Sequence, residues 1–321
     1  MSNLKTLLAT LCLGFAMTAS AQQTVTIKGK VKFIEPDFTV KVYQYSGTDK
    51  KVLAETPVNA DHSYTLSVPV EKAGDAVVDC GGWQAVDVWL EDENMDIDFR
   101  GLDTAKIKIK NPPYVYIRAG KKNELMNLVN FHAYRSYQTM IAISQNVYKA
   151  KIEDQKKSQQ LAMSLYDASG EDSDAWMRYL TEHYSDLTSV LVPLSRLDEE
   201  KDADIINAAL ARLESTSATA KQLVADFRKA RAEAKEKRER MKDGNPAPEF
   251  TFQNVKGKTV SLSKLKGKVI VLDFWASWCG PCRHEIPNLI KVYEKYKGDK
   301  FEVLGVATWD KPADTEKAIS D

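Results

Sequence analysis

Two cysteines with two residues between them, Cys279 and Cys282, are the side chains of this 321-residue chain best suited to chemistry. They close the run Asp-Phe-Trp-Ala-Ser-Trp-Cys-Gly-Pro-Cys at 273–282, which follows the apolar stretch Val269, Ile270, Val271 and Leu272. An apolar run of that length reads as a strand buried on both faces of a sheet, after which the chain turns at Trp278, Cys279, Gly280 and Pro281. Pro281 suits the first turn of a helix, because the N–H it lacks would have no intrahelical partner there. Ile286, Leu289, Ile290 and Tyr293 then recur at helical spacing. Cys279 is therefore expected at a helix N-terminus, where orphan N–H groups and the positive end of the helix dipole favour a thiolate. Its pKa should lie below the free thiol value of about 8.5. Cys282, on the same face one turn later and less exposed, is placed to attack a mixed disulfide formed at Cys279 and release a reduced substrate.

Other uses of a CxxC pair fit less well. A zinc site wants a second cysteine pair or histidines at ligand spacing, and the remaining cysteines are Cys12 and Cys80. Haem attachment needs histidine directly after the second cysteine, where Arg283 stands. His132 and His183 fall on or beside apolar helical stripes with no third ligand nearby, so each reads as a packed core or surface histidine. No metal and no cofactor are expected.

The 273–282 motif with its preceding apolar strand resembles the active site of the thioredoxin superfamily. Pro-Cys-Arg-His-Glu-Ile-Pro at 281–287 resembles that of its TlpA/ResA-like extracytoplasmic branch. The resemblance makes Cys279 the attacking and Cys282 the resolving cysteine of a redox-active Cys279–Cys282 disulfide. It puts Asp273 in the place of a buried acid that assists proton transfer, and Pro287 in that of a helix-kinking proline. It makes Trp278, Gly280 and Pro281 substrate-contacting. Ala276 stands where a peroxiredoxin would carry threonine, so peroxidase activity is not expected. The resemblance implies an exported thiol-disulfide oxidoreductase that reduces disulfides of extracytoplasmic proteins, with a membrane thiol as electron donor. It also implies a part in antioxidant activity and cell redox homeostasis. The alternative is an envelope binding or adaptor protein whose redox domain is auxiliary or inactive.

Residues 1–21 combine Lys5, an apolar segment from Leu7 to Met17 and Ala19-Ser20-Ala21, the pattern of a secretory signal peptide with its cleavage site. The expected location is the periplasm or cell envelope. In an oxidising compartment the mature cysteines then amount to one redox pair and one odd thiol, Cys80, which is either a small buried hydrophobe or the site of an intermolecular disulfide. Lys+Arg and Asp+Glu balance at 45 each, so nothing points to a nucleic acid partner; oligomeric state is not legible.

The architecture expected is multidomain. Residues 22–115 alternate with period two at Val25, Ile27, Val31 and Phe33, at Phe38, Val40 and Val42, at Tyr64, Leu66 and Val68, and at Ile107 and Ile109. Short strands at this spacing imply an antiparallel β-sandwich, an accessory domain. The acidic run at 91–96 lacks the glycine of a calcium loop and reads as a solvated turn. Residues 116–243 take helical spacing, with Leu125, Leu128 and Val129, Trp176 and Leu180, Ile206, Leu210 and Leu213, and Leu223 and Phe227 each on one face. The charge-dense run at 229–242 reads as an exposed helix held by i,i+4 pairs. Gly244-Asn-Pro-Ala-Pro248 breaks that helix and opens the third region, 244–321, an α/β thioredoxin-like fold that lacks the last strands and closing helix of its family. The absent part would include the family's cis-proline and would leave the strand from Val269 as a bare edge. Either a longer protein or a partner is expected to cover it.

Overall fold

The computed structural model describes residues 23–47, 49–102, 113–150 and 154–320. The leader with Cys12 and the strand at Ile107 and Ile109 lie outside the described residues. The chain divides into two compact units, Met1–Arg231 and Ala232–Asp321.

Among the described residues of the first unit the period-two alternation becomes nine strands: β1 (Thr24–Phe33), β2 (Thr39–Ser46), β3 (Asp49–Pro57), β4 (Ser63–Pro69), β5 (Gly74–Cys80), β6 (Gln84–Leu90), β7 (Met95–Ile97), β8 (Phe99–Gly101) and β9 (Ile117–Arg118). One sheet, in the order β3-β2-β5-β6, is antiparallel throughout. The other, in the order β4-β1-β7-β9 with β8 also on β1, is mixed. Strand β1 runs antiparallel to β4 but parallel to β7 and β8. This corrects the expectation of a wholly antiparallel region. The parallel partners are three-residue pieces, and side chains complete their ladder where the backbone breaks off. Thr26 N–H donates to Asn94 Oδ1 at 2.8 Å, and Lys30 N–H donates to Asp98 Oδ1 at 2.8 Å. Gly29 sits at the point of closest approach, where a Cβ would stand 1.8 Å from the carbonyl oxygen of Ile97.

Inward-facing residues of both sheets, among them Ile27, Val40, Leu66 and Val78, share one core with the helices that follow. These are α1 (Lys121–Ile143), α2 (Gln155–His183), α3 (Leu191–Ser195), α4 (Ala203–Glu214) and α5 (Ala218–Arg240). Leu125, Val129, Leu180, Leu210, Leu213 and Leu223 carry the apolar stripes into that core, as their spacing indicated. Two buried amides on α1 stand in for strand partners. Asn123 accepts from Trp89 N–H at 2.9 Å and donates to Trp89 O at 3.0 Å, while Asn127 accepts from Ile117 N–H at 3.0 Å and donates to Ile117 O at 2.8 Å. Helix and sheet edges are thereby joined by hydrogen bonds that satisfy buried backbone groups.

The acidic run is a bend in which Asp92 and Asn94 are exposed, but several of its carboxylates are held by specific partners. Glu93 caps α1 by accepting from the N–H groups of Lys122 and Asn123 at 3.0 and 3.1 Å, as helix N-termini favour. Glu91 is mostly buried and accepts from the Trp89 indole at 2.8 Å, with Lys122 Nζ at 3.0 Å. Asp96 and Asp98 both bind Arg118. The spacing missed this because every partner but one lies some twenty residues or more away. Glu93→Ala should therefore cost about 1–2 kcal/mol, readable as a lower denaturation midpoint of the first unit with an unchanged m-value.

His132 is half-buried and His183 exposed, and both stack on aromatic rings. His132 stacks on Trp176, Trp176 on Tyr179 and Tyr179 on His183, with ring centroids 5.9, 5.4 and 4.0 Å apart. Cys80 is fully buried in β5, and burial pushes its thiol up to about 12, so it stays protonated and inert. In α5 the charged tail pairs Arg240 with Glu236, and just beyond it Lys242 pairs with Glu239.

In the second unit, β10 (Thr251–Gln253) and β11 (Thr259–Ser261) form a hairpin. A βαβ unit follows: β12 (Val269–Trp275), α6 (Gly280–Tyr296) and β13 (Phe301–Ala307), then α7 (Pro312–Ser320). Strands β12 and β13 pair in parallel from Val269↔Phe301 to Trp275↔Ala307. The expectation that β12 is buried on both faces fails. Val269, at the start of the strand, is 67% exposed; on the opposite face Leu272 and Phe274 are 37% and 61% exposed, and β13 is the one strand paired with β12 among the described residues.

Candidate redox site

The site is built at the end of β12. Trp275 and Ala276 are buried and anchor the strand end, and Cys279 N–H donates to Ala276 O at 3.0 Å to close the turn. Helix α6 begins at Gly280 with Cys279 as its N-cap. Cys279 Sγ accepts from the backbone N–H of Cys282 at 3.3 Å, so the sulfur itself satisfies an orphan donor of the first turn. The two sulfurs are joined in a disulfide, with the Cα atoms 5.3 Å apart. In this disulfide form that N–H and the N-terminal end of α6 face Cys279 Sγ. Both cysteines are half-buried, so the expected difference in exposure between them is not seen.

Gly280 and Pro281 are exposed at the helix start, and Trp278 is 66% exposed beside the disulfide. Pro287 lies inside α6, where it removes one backbone donor. Asp273 is half-buried on β12, opposite Gly305 of β13, and lines a groove with Trp275, Ile286, Leu289 and Tyr293. Among the described residues no cluster of histidine, cysteine or carboxylate side chains is arranged to hold a metal ion.

One part of the site was not foreseen. The turn between β13 and α7 folds against the cysteine loop. Asp310 accepts from Ser277 N–H at 2.7 Å, Ser277 Oγ at 2.9 Å, Thr315 Oγ1 at 2.9 Å and Lys311 N–H at 3.0 Å. The Ser277 backbone N–H, reinforced by the other donors, holds the Asp310 carboxyl below the usual carboxylate range. The Trp278 indole donates to the carbonyl of Trp309 at 3.2 Å. No short-range pattern signals this, since Ser277 and Asp310 are 33 residues apart.

A parallel βαβ unit with a CxxC disulfide at the N-terminus of its helix defines the thioredoxin-like class. Residues 244–321 match the model of the AhpC/TSA family. The C-terminal segment thus has a thioredoxin-like fold, matches that family's model and is similar to the ResA/TlpA-like thiol-disulfide oxidoreductases. It is 38% identical over 69 residues to the thiol-disulfide oxidoreductase ResA of Bacillus subtilis, covering 22% of this chain and 38% of that protein. It is 41% identical over 66 residues to the thioredoxin-like protein YneN of the same organism, covering 21% and 38%. Among solved structures, the thioredoxin domain of a thiol-disulfide oxidoreductase from Bacteroides vulgatus aligns at 42% identity over 24% of this chain and 55% of that one, with a TM-score of 0.23. The chain spans about two fifths of the length of the curated relatives it matches. Among the described residues no helix is long and apolar enough to cross a membrane.

Proposed function

We propose that the protein is an exported thiol-disulfide oxidoreductase that reduces disulfides of extracytoplasmic proteins. The observation that carries this reading is the Cys279–Cys282 disulfide at the start of α6 with Cys279 Sγ capping the helix. In the reduced enzyme the Cys279 thiolate attacks one sulfur of a substrate disulfide. A Cys279–substrate bond forms as the substrate S–S bond breaks, and the second substrate sulfur leaves as a thiolate that takes up a proton. Cys282 then loses its proton and attacks Cys279 Sγ, forming the intramolecular disulfide as the Cys279–substrate bond breaks and the substrate sulfur first attacked leaves as a thiolate that takes up a proton. The pair passes two electrons to the substrate, and of the two protons the substrate thiols take up, one is released by Cys282 and the other comes from solvent. A thiol donor, membrane-held in this reading, must return the electrons.

Asp273 is placed on the strand that delivers the cysteine loop, and its proposed role is to accept the proton of Cys282 through solvent in the adjacent groove. Trp278, Gly280 and Pro281 form the exposed rim on which a substrate chain would lie. The test is the reduction potential of the Cys279/Cys282 pair, by equilibration in thiol buffers and counting of alkylated cysteines by mass. A single midpoint at or below the glutathione range of about −220 to −260 mV is expected for a reductant. A markedly higher midpoint assigns the protein to the oxidants or isomerases instead. Absence of a shared midpoint removes the redox reading and leaves the first unit as a binding module.

A further inference from the structure

We infer that Asp310 is a positioning residue for the attacking thiol: its carboxylate latches the cysteine loop to the turn that begins α7 and so keeps Cys279 Sγ on the helix N-terminus. This rests on Cys279 being the nucleophile, as proposed above. Asp310 accepts four hydrogen bonds, two of them from Ser277, which is two residues before Cys279. A carboxylate with that many donors is rigid, and Thr315 on α7, itself buried, fixes its far side. The neighbouring Trp309 has φ of 52°, an unfavourable left-handed conformation for a bulky residue, and its ring is 90% exposed. Such a conformation persists only where surrounding contacts over-determine it. The contacts here are those of Asp310 on one side and the Trp278 indole on the Trp309 carbonyl on the other.

The physical consequence falls on the reduced state. Once the S–S bond opens, nothing covalent holds Cys279 Sγ over the Cys282 N–H. The turn at 276–279 must do so, and the latch removes its freedom to swing away. Loss of the latch should weaken thiolate stabilisation at Cys279 without touching either sulfur. A direct field from the Asp310 charge would act in the opposite direction, since a nearby carboxylate disfavours a thiolate. The two effects are therefore separable by sign.

The experiment compares Asp310→Ala and Asp310→Asn with the parent in the full chain. Each protein is reduced, the rate of Cys279 alkylation is followed from pH 5 to 10, and the modified cysteine is located by mass mapping. Asp273 on β12, Arg283 and His284 on α6, Lys311 and Asp314 are present in all three proteins, so differences between the profiles report the latch. Asp310→Ala should alkylate roughly three- to tenfold more slowly at pH 7, with its profile moved to higher pH. Asp310→Asn retains an oxygen for the Ser277 N–H and should lie near the parent. Superimposed profiles for Asp310→Ala and the parent would overturn the inference, as would equal acceleration in both variants, which marks a field effect. Where Asp310→Ala does not fold, Ser277→Ala removes one of the two loop bonds and should give a smaller slowing; an unchanged profile there overturns the inference too. Failure of the underlying reading looks different: Cys279 of the parent would then alkylate no faster than Cys282.

Discussion

Cys279→Ser is expected to bring disulfide reduction down to the uncatalysed background while leaving the fold intact. A serine hydroxyl does not ionise near neutral pH and forms no bond to a substrate sulfur that a second thiol can resolve, so both half-reactions are lost together. The structure separates this from damage to the helix. Serine is among the preferred N-cap residues, and its Oγ would take over the bond that Cys279 Sγ now accepts from the Cys282 N–H. Thermal stability of the reduced proteins should be equal within about 1 kcal/mol. Cys282→Ser should behave differently, since attack still occurs and resolution does not. One equivalent of substrate should accumulate on Cys279 as a mixed disulfide, visible by mass and released by added thiol. Full activity in Cys279→Ser would remove the mechanism. Release of product without accumulation in Cys282→Ser would reassign the resolving step.

The second large effect belongs to the other unit and has nothing to do with redox chemistry. Gly29→Ala would drive a Cβ to 1.8 Å from the Ile97 carbonyl oxygen and 3.2 Å from the Tyr64 ring. The nearer obstacle is backbone, so β1 must move off β7, and the Tyr64 hydroxyl that donates to that same Ile97 oxygen at 2.7 Å loses its buried partner. Overpacking and the broken bond together should cost about 3 kcal/mol or more, seen as a lower urea midpoint or as failure to accumulate folded protein. Gly170→Ala supplies the contrast. That glycine lies inside α2 with no atom near its missing Cβ, so alanine there should stabilise by about 0.5–1 kcal/mol. A Gly29→Ala protein as stable as its parent would mean that β1 and β7 do not meet as described.

The difference between these two halves of the molecule is also a difference in what a sequence can disclose. Cys279, Gly280, Pro281 and Cys282 announce themselves because their chemistry is local: a strand end, a turn and a helix start within about one dozen residues. Strands such as β1 and β4 were legible for the same reason, since alternation is a property of the segment itself. The parallel seats of β7 and β8 were not, because a three-residue strand has no period to read and its partner lies some seventy residues earlier. Glu93 and Asp310 were hidden by the same circumstance. Each is an ordinary surface-type residue in sequence, and each becomes structural only because a distant helix or loop brings backbone N–H groups to it. The exposure of Phe274 and Val269 ran against their apolar type, since hydrophobicity states a preference for burial and the number of neighbouring strands decides whether it is met.

The single core of the first unit has a consequence in time. Val25 enters that core on the same terms as Val224, near the other end of the unit. Roughly 200 residues separate them, and at about 5–20 residues per second the ribosome needs some 10–40 seconds to deliver the second after the first. Helix α1 can close on the sheets about halfway through that interval, but the core is complete only when α5 has followed.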